Sequence, residues 1–137
     1  MKHAVFADTS GWLGVVATRE PHHERAVRAY ALLVKQGARI VTTNLVLAEM
    51  HALVLRERGV AEALDLIDRV HSDPSYEVRF VDRDLESEAL DRWIRRYSDK
   101  LFSLTDACSF EVMRQEGIRK AFALDRHFKA AGYELLL

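Results

Sequence analysis

Cysteine is almost absent from this chain, with one residue, Cys108, in 137. A single thiol closes no internal disulfide framework and fits a reducing compartment such as the cytoplasm, and Cys108 itself is expected to fill space in a helix. Proline is scarce too, at two residues, and no low-complexity stretch reads as a linker. Neither sign of charge dominates, since 20 Lys and Arg face 21 Asp and Glu for a net of −1. That balance excludes a global basic field, so any polyanion has to be held locally. No apolar run approaches the ~18–20 residues of a membrane span, and Asp8 breaks the opening run too early for a secretory signal. The expectation is a soluble, cytoplasmic protein with no membrane partner.

What is present is the apolar share, 49%, and length of one ordinary globular domain, taken as residues 1–137. Short runs rich in Val, Ile, Phe, Tyr and Leu predict strands over residues 3–7, 39–42, 76–81, 120–123 and 133–137. Helical spacing of apolar residues predicts helices over 21–36, 44–58, 60–72, about 84–97 and 105–116, and Gly37, Gly59 and Gly117 supply stops. A further short helix is expected through Trp12 and Leu13. Alternating strands and helices predict an α/β fold, a small doubly wound (Rossmann-like) parallel sheet of about five strands with helices on both faces. Ligands in such sheets collect at the carboxyl ends of the strands, where strand order reverses.

Four acids fall where that rule points. Asp8 directly follows the first strand, and Asp125 directly follows the run Ala121-Phe122-Ala123-Leu124 at the end of the fourth. Asp106 follows Thr105, a reasonable helix cap, and shares a helix stripe with Phe110 and Met113. Glu49 has Val46, Met50 and Leu53 as its i−3, i+1 and i+4 neighbours, which predicts a carboxylate on an apolar face. Taken singly, Glu49 has an alternative reading as half of a buried ion pair with an arginine, and Asp8 or Asp125 reads equally as a cap or turn residue. Taken together, four carboxylates converging on one edge call for a cation, because isolated buried charge is costly. Hard oxygen donors suit Mg²⁺ or Mn²⁺, whereas zinc favours His or Cys.

Around this set, Thr9 and Ser10 are candidates to orient an attacking water or touch a phosphate, or else to cap the short helix. Asn44 reads as a substrate contact or as the cap of the Glu49 helix. Arg126 is the best-placed cation for a phosphate, ahead of Arg56, Arg96, Lys100 and Lys129, and His127 lies within reach of a substrate. The pair His22 and His23 reads as a solvated helix start, His51 faces away from Glu49, and Asp99 sits in a solvated loop. Trp93 and Leu53 read as core, or as contacts for a partner.

Four segments in order carry a resemblance: Phe6-Ala7-Asp8-Thr9-Ser10, Thr43-Asn44-Leu45-Val46-Leu47-Ala48-Glu49, Ser103-Leu104-Thr105-Asp106-Ala107-Cys108-Ser109-Phe110 and Ala123-Leu124-Asp125-Arg126-His127-Phe128. Over nearly its whole length the chain resembles the PIN-domain ribonucleases, and among them the VapC-like toxins of type II toxin–antitoxin pairs. That resemblance implies that Asp8, Glu49, Asp106 and Asp125 hold one or two Mg²⁺ or Mn²⁺ ions and that the chain hydrolyses RNA. It also implies a homodimer and a cognate antitoxin protein. Many relatives carry an acid two residues beyond the fourth, where this chain has His127. The alternative within the resemblance is a housekeeping RNA-processing nuclease, or a PIN-like fold serving only as an interaction module.

Other classes fit the residues less well. A phosphoryl-receiver domain needs adjacent acids after its first strand, but Thr9 and Ser10 follow Asp8. An aspartyl-phosphate hydrolase needs an acid at position 10. The Gly11 and Gly14 pair lacks the third glycine or Gly-Lys of a nucleotide-binding loop, and Ser10 lacks the preceding glycine of a serine-hydrolase elbow.

Overall fold

Strand β1 (Ala4–Ala7) is buried along nearly its whole length, as expected of a central parallel strand covered on both faces. The computed structural model describes residues 3–137. The chain continues through α1 (Thr9–Val16), α2 (His23–Lys35), β2 (Arg39–Thr43), α3 (Asn44–Arg58), α4 (Val60–Ser72) and β3 (Tyr76–Arg79). Then come α5 (Arg83–Ala89), a π-helical turn (Leu90–Arg95), α6 (Leu104–Glu116), β4 (Lys120–Phe122), α7 (His127–Ala130) and β5 (Glu134–Leu135). The five strands form one all-parallel sheet in the order β3-β2-β1-β4-β5. Helices α1 to α4 pack among themselves as one group, and α5, the π turn and α6 as another. This is the α/β fold that the alternating pattern predicts.

Chain order runs outward from β1 to β2 and β3, then returns to the other side of β1 for β4 and β5. Strand order therefore reverses between β1 and β4, and the crevice at their carboxyl ends is where such folds place a ligand. The core beneath it is aromatic. Phe6, Phe110, Phe122 and Phe128 are fully buried, and Phe110 meets Phe128 edge-on with ring centres 4.9 Å apart.

Several local details differ from the sequence-based expectation. Helices α3 and α4 have the predicted bounds, because Gly59 at φ 96° makes a break that a residue with a Cβ would resist. Thr43, not Asn44, caps α3 by accepting from Val46 N, while Asn44 Oδ1 accepts from Val81 N at 2.7 Å and ties α3 to the segment after β3. Ser103, not Thr105, caps α6, in a capping box with Asp106 at its third position. The helix expected over about 84–97 changes to a π turn at Leu90, within which Trp93 is buried and donates from Nε1 to Glu111 Oε1 at 3.2 Å. Trp93 and Leu53 are core residues, which settles their role in the fold.

Glu111 is fully buried, and the sequence pattern did not flag it. Burial alone would raise its pKa, but hydrogen bonds from Arg114, Gln115 and Trp93 hold it below the ordinary glutamate value. It is a structural anchor between α6 and the π turn. Among the described residues, no helix is long and apolar enough to cross a membrane.

Candidate active site

All four acids line one cleft of about 580 Å³. Each arrives by a different local device. Asp8 leaves β1 as the N-cap of α1, its Oδ2 accepting from Ser10 N at 3.1 Å and from Ser10 Oγ at 2.7 Å. Ser10 Oγ in turn accepts from Leu124 N at 2.9 Å and Asp125 N at 3.1 Å. One hydroxyl thus ties the end of β1 to the end of β4. Its single donor and both lone pairs are engaged, so Ser10 positions the acids and has no capacity left for a water or a phosphate.

Asp106 enters from the first turn of α6, where its side chain accepts from Ser103 N at 3.3 Å as its half of the capping box. The dipole of α6 favours an anion at that end. Asp125 follows β4 and accepts from His127 N at 2.9 Å, which turns the His127 side chain back toward the cleft. The imidazole Nδ1 lies 3.0 Å from Asp106 Oδ2 and 3.6 Å from Asp125 Oδ1. One ligand atom from each of Asp106, Asp125 and His127 fits within 4.8 Å of the others.

Glu49 does not sit on the buried stripe as its neighbours predicted. Val46, Met50 and Leu53 are indeed buried, but Glu49 is exposed. The reason lies in where α3 runs. Its residues Glu49, Ala52, Leu53 and Arg56, at i, i+3, i+4 and i+7, form one helix face along the cleft, on which Leu53 is covered while Glu49, Ala52 and Arg56 are exposed. There Glu49 Oε1 accepts from Thr9 Oγ1 at 2.9 Å. Thr9 therefore positions an acid, and it also lines the cleft.

Two expected substrate contacts are not brought into the cleft. Asn44 is committed to Val81. Arg126 is exposed and lines a separate depression with Lys129, Tyr133 and Glu134, because Asp125 and His127 take the cleft-facing positions of that turn and the residue between them points elsewhere. The guanidinium that does line the cleft belongs to Arg56, one of the secondary candidates. Lys100 pairs with Asp99 at 3.8 Å, outside the cleft lining. Leu101 lines the cleft and was not anticipated; its φ of 58° and 83% exposure leave no sequence signature.

The electrostatics ask for positive charge. Burial pushes the Asp8 carboxyl up to about 6, with Asp106 and Asp125 adding repulsion, even though both hydrogen bonds from Ser10 oppose the shift. Among the described residues, no Lys or Arg forms an ion pair with any of the four acids, and His127 alone does so with Asp106 and Asp125. Two carboxylates and an imidazole within 4.8 Å of one another, in a cleft that Asp8 and Glu49 also line, form a donor set that fits a divalent cation.

A parallel sheet with acids gathered at its switch point is the architecture of a PIN domain, and the chain belongs to that family, whose model matches residues 5–133. It is 33% identical over 129 residues to the 23S rRNA-specific endonuclease VapC20 of Mycobacterium tuberculosis, covering 94% of this chain and 95% of that protein. The crystal structure of Mycobacterium tuberculosis VapC20, described as a sarcin-ricin loop cleaving toxin, matches with a TM-score of 0.81 at 32% identity, covering 94% of this chain and 95% of that one. The structure of FitAcB from Neisseria gonorrhoeae matches with a TM-score of 0.68 at 15% identity over 96% of this chain and 95% of that one, a likeness of fold alone.

Proposed function

We propose that this chain is a divalent-metal-dependent endoribonuclease and the toxin of a toxin–antitoxin pair. The observation that carries the reading is the convergence of Asp8, Glu49, Asp106 and Asp125, from four separate segments, on one cleft at the switch point of the sheet. The likeness to VapC20 over nearly the full length of both chains supports RNA as the substrate and makes 23S rRNA the first one to try. It also supports an antitoxin partner and a cytoplasmic site of action. Exposed Leu32, Val34, Leu55, Val60 and Leu64 on α2, α3 and α4 are consistent with protein partners, an antitoxin and a second copy of the chain.

Asp8, Asp106 and Asp125 would hold Mg²⁺ or Mn²⁺, with Glu49 completing the set. Such an ion, when bound, supplies Lewis-acid charge to the scissile phosphate and makes water a better nucleophile at neutral pH. The chain's own residues do the rest by positioning. Ser10 fixes Asp8 against Asp125, Thr9 fixes Glu49 at the mouth, and the capping box fixes Asp106. Arg56 offers a cation to a substrate phosphate, and Leu13, Leu53 and Leu101 form an apolar lining. With a net charge of −1, few phosphate contacts are available, so RNA affinity should fall only modestly with salt.

The test is incubation of the purified protein with total RNA, in Mg²⁺ or Mn²⁺ and in chelator, with the cut ends mapped. Discrete ends that need the ion are expected, and Asp8→Asn and Asp106→Asn should lower the rate at least about 100-fold while the fold persists. Parent-rate cutting by both variants, or cutting unaffected by chelator, would contradict the reading.

A further inference from the structure

The histidine beside the fourth acid has a geometry that an ion pair alone does not require. The hydrogen bond from His127 N to Asp125 Oδ1 folds residue 127 back, and Nδ1 arrives near both Asp106 and Asp125. Behind the imidazole stands Phe102, its ring edge-on at 5.4 Å and itself backed edge-on by Phe110 at 5.0 Å. The imidazole is thus held by a buried aromatic on one side and presented to the carboxylates on the other. In an octahedral centre with bonds of about 2.1 Å, neighbouring donors lie about 3 Å apart and opposite donors about 4.2 Å. The 4.8 Å envelope around one atom each of Asp106, Asp125 and His127 is close to that span.

We propose that His127 is a metal ligand through Nδ1, alongside Asp106 and Asp125, and that this nitrogen donor biases the centre toward Mn²⁺ over Mg²⁺. The inference rests on the reading that the cleft holds a divalent ion, and is independent of which RNA is cut. Mg²⁺ takes oxygen donors and parts reluctantly with its waters, while imidazole nitrogen is a donor for transition ions. An all-carboxylate cleft would not separate the two ions in this way. Replacing the nitrogen with a carboxylate should therefore narrow the separation without emptying the site. The existing bond between His127 and Asp106 is a contact that both groups exchange for the ion.

Two readouts on the whole purified protein test this without substrate. The first is electron spin-echo spectroscopy of bound Mn²⁺, which detects a directly coordinated ¹⁴N. His127 is the histidine that lines the cleft, so the parent should show that modulation and His127→Asp should lack it. The second is calorimetric titration with Mn²⁺ and with Mg²⁺. The ratio of the two affinities should fall by about tenfold in His127→Asp, and His127→Ala should weaken Mn²⁺ binding by about 10–100-fold. Parent and His127→Asp proteins with the same spin-echo spectrum, or with the same Mn²⁺ to Mg²⁺ ratio, overturn the inference and leave the nuclease reading standing. A parent protein that binds neither ion overturns both.

Discussion

A carboxylate that caps a helix ordinarily gains from the N–H groups it faces, and Asp8 does cap α1, yet its pKa stands at about 6 against the ordinary 3.8. Burial outweighs the cap, and the neighbouring acids add to it. The consequence for stability has a definite sign. Between pH 3.8 and about 6 the folded chain keeps a proton that the unfolded chain has released, so this group's contribution to stability falls as pH rises through that window and stays lost above it. The penalty at neutral pH is on the order of 3 kcal/mol. In chelator at pH 7.5, Asp8→Asn should therefore melt at a higher temperature than the parent, with the gap closing toward pH 4. Saturating Mn²⁺ should reverse the order. Circular-dichroism melts across pH decide it, and a parent that is the more stable of the two in chelator at pH 7.5 contradicts the cost of a buried charge at this residue.

At the scale of elements, the cleft depends on how closely α1 approaches β4. A Cβ placed on Gly11 would lie 2.2 Å from the Phe122 carbonyl oxygen and 2.7 Å from its ring, so position 11 admits only glycine without a shift of backbone. The shift would draw α1 away from β4 and pull Ser10 from Leu124 N and Asp125 N. Gly11→Ala should cost about 1–3 kcal/mol or more by overpacking, and should also weaken Mn²⁺ binding because Asp8 and Asp125 lose their shared anchor. Chemical denaturation together with calorimetry checks both, and a Gly11→Ala protein with parental stability and Mn²⁺ affinity would contradict the coupling. Element bounds were largely legible from sequence where a breaker was unambiguous, as at Gly59 between α3 and α4. They were less legible where two hydroxyls compete for one cap, as Ser103 and Thr105 do, or where a helix changes its turn, as at Leu90. The exposure of Glu49 was hidden for a related reason: spacing shows which residues share a helix face, and not where the layer covering that face ends.

Across the whole molecule, the most legible property was topology. Alternation of strands and helices implied the parallel sheet, strand ends implied the edge, and Asp8, Asp106 and Asp125 followed from those two facts. The residues between the acids were harder to read. Arg126 is adjacent to Asp125 in the chain, yet Arg56, seven residues beyond Glu49 along α3, is the guanidinium in the cleft. Serine hydroxyls that look available in a sequence, such as Ser10, prove to be consumed in holding strands together. The molecule as a whole is near charge balance, so its hold on a polyanion depends on local contacts. The most direct measurement is therefore anomalous diffraction at the manganese edge from crystals grown with Mn²⁺. A peak within bonding distance of Asp106 and Asp125 and facing Asp8 is the expected result. A fully occupied ion elsewhere on the surface, with these carboxylates left bare, would contradict the central claim that their crowding exists to hold a metal.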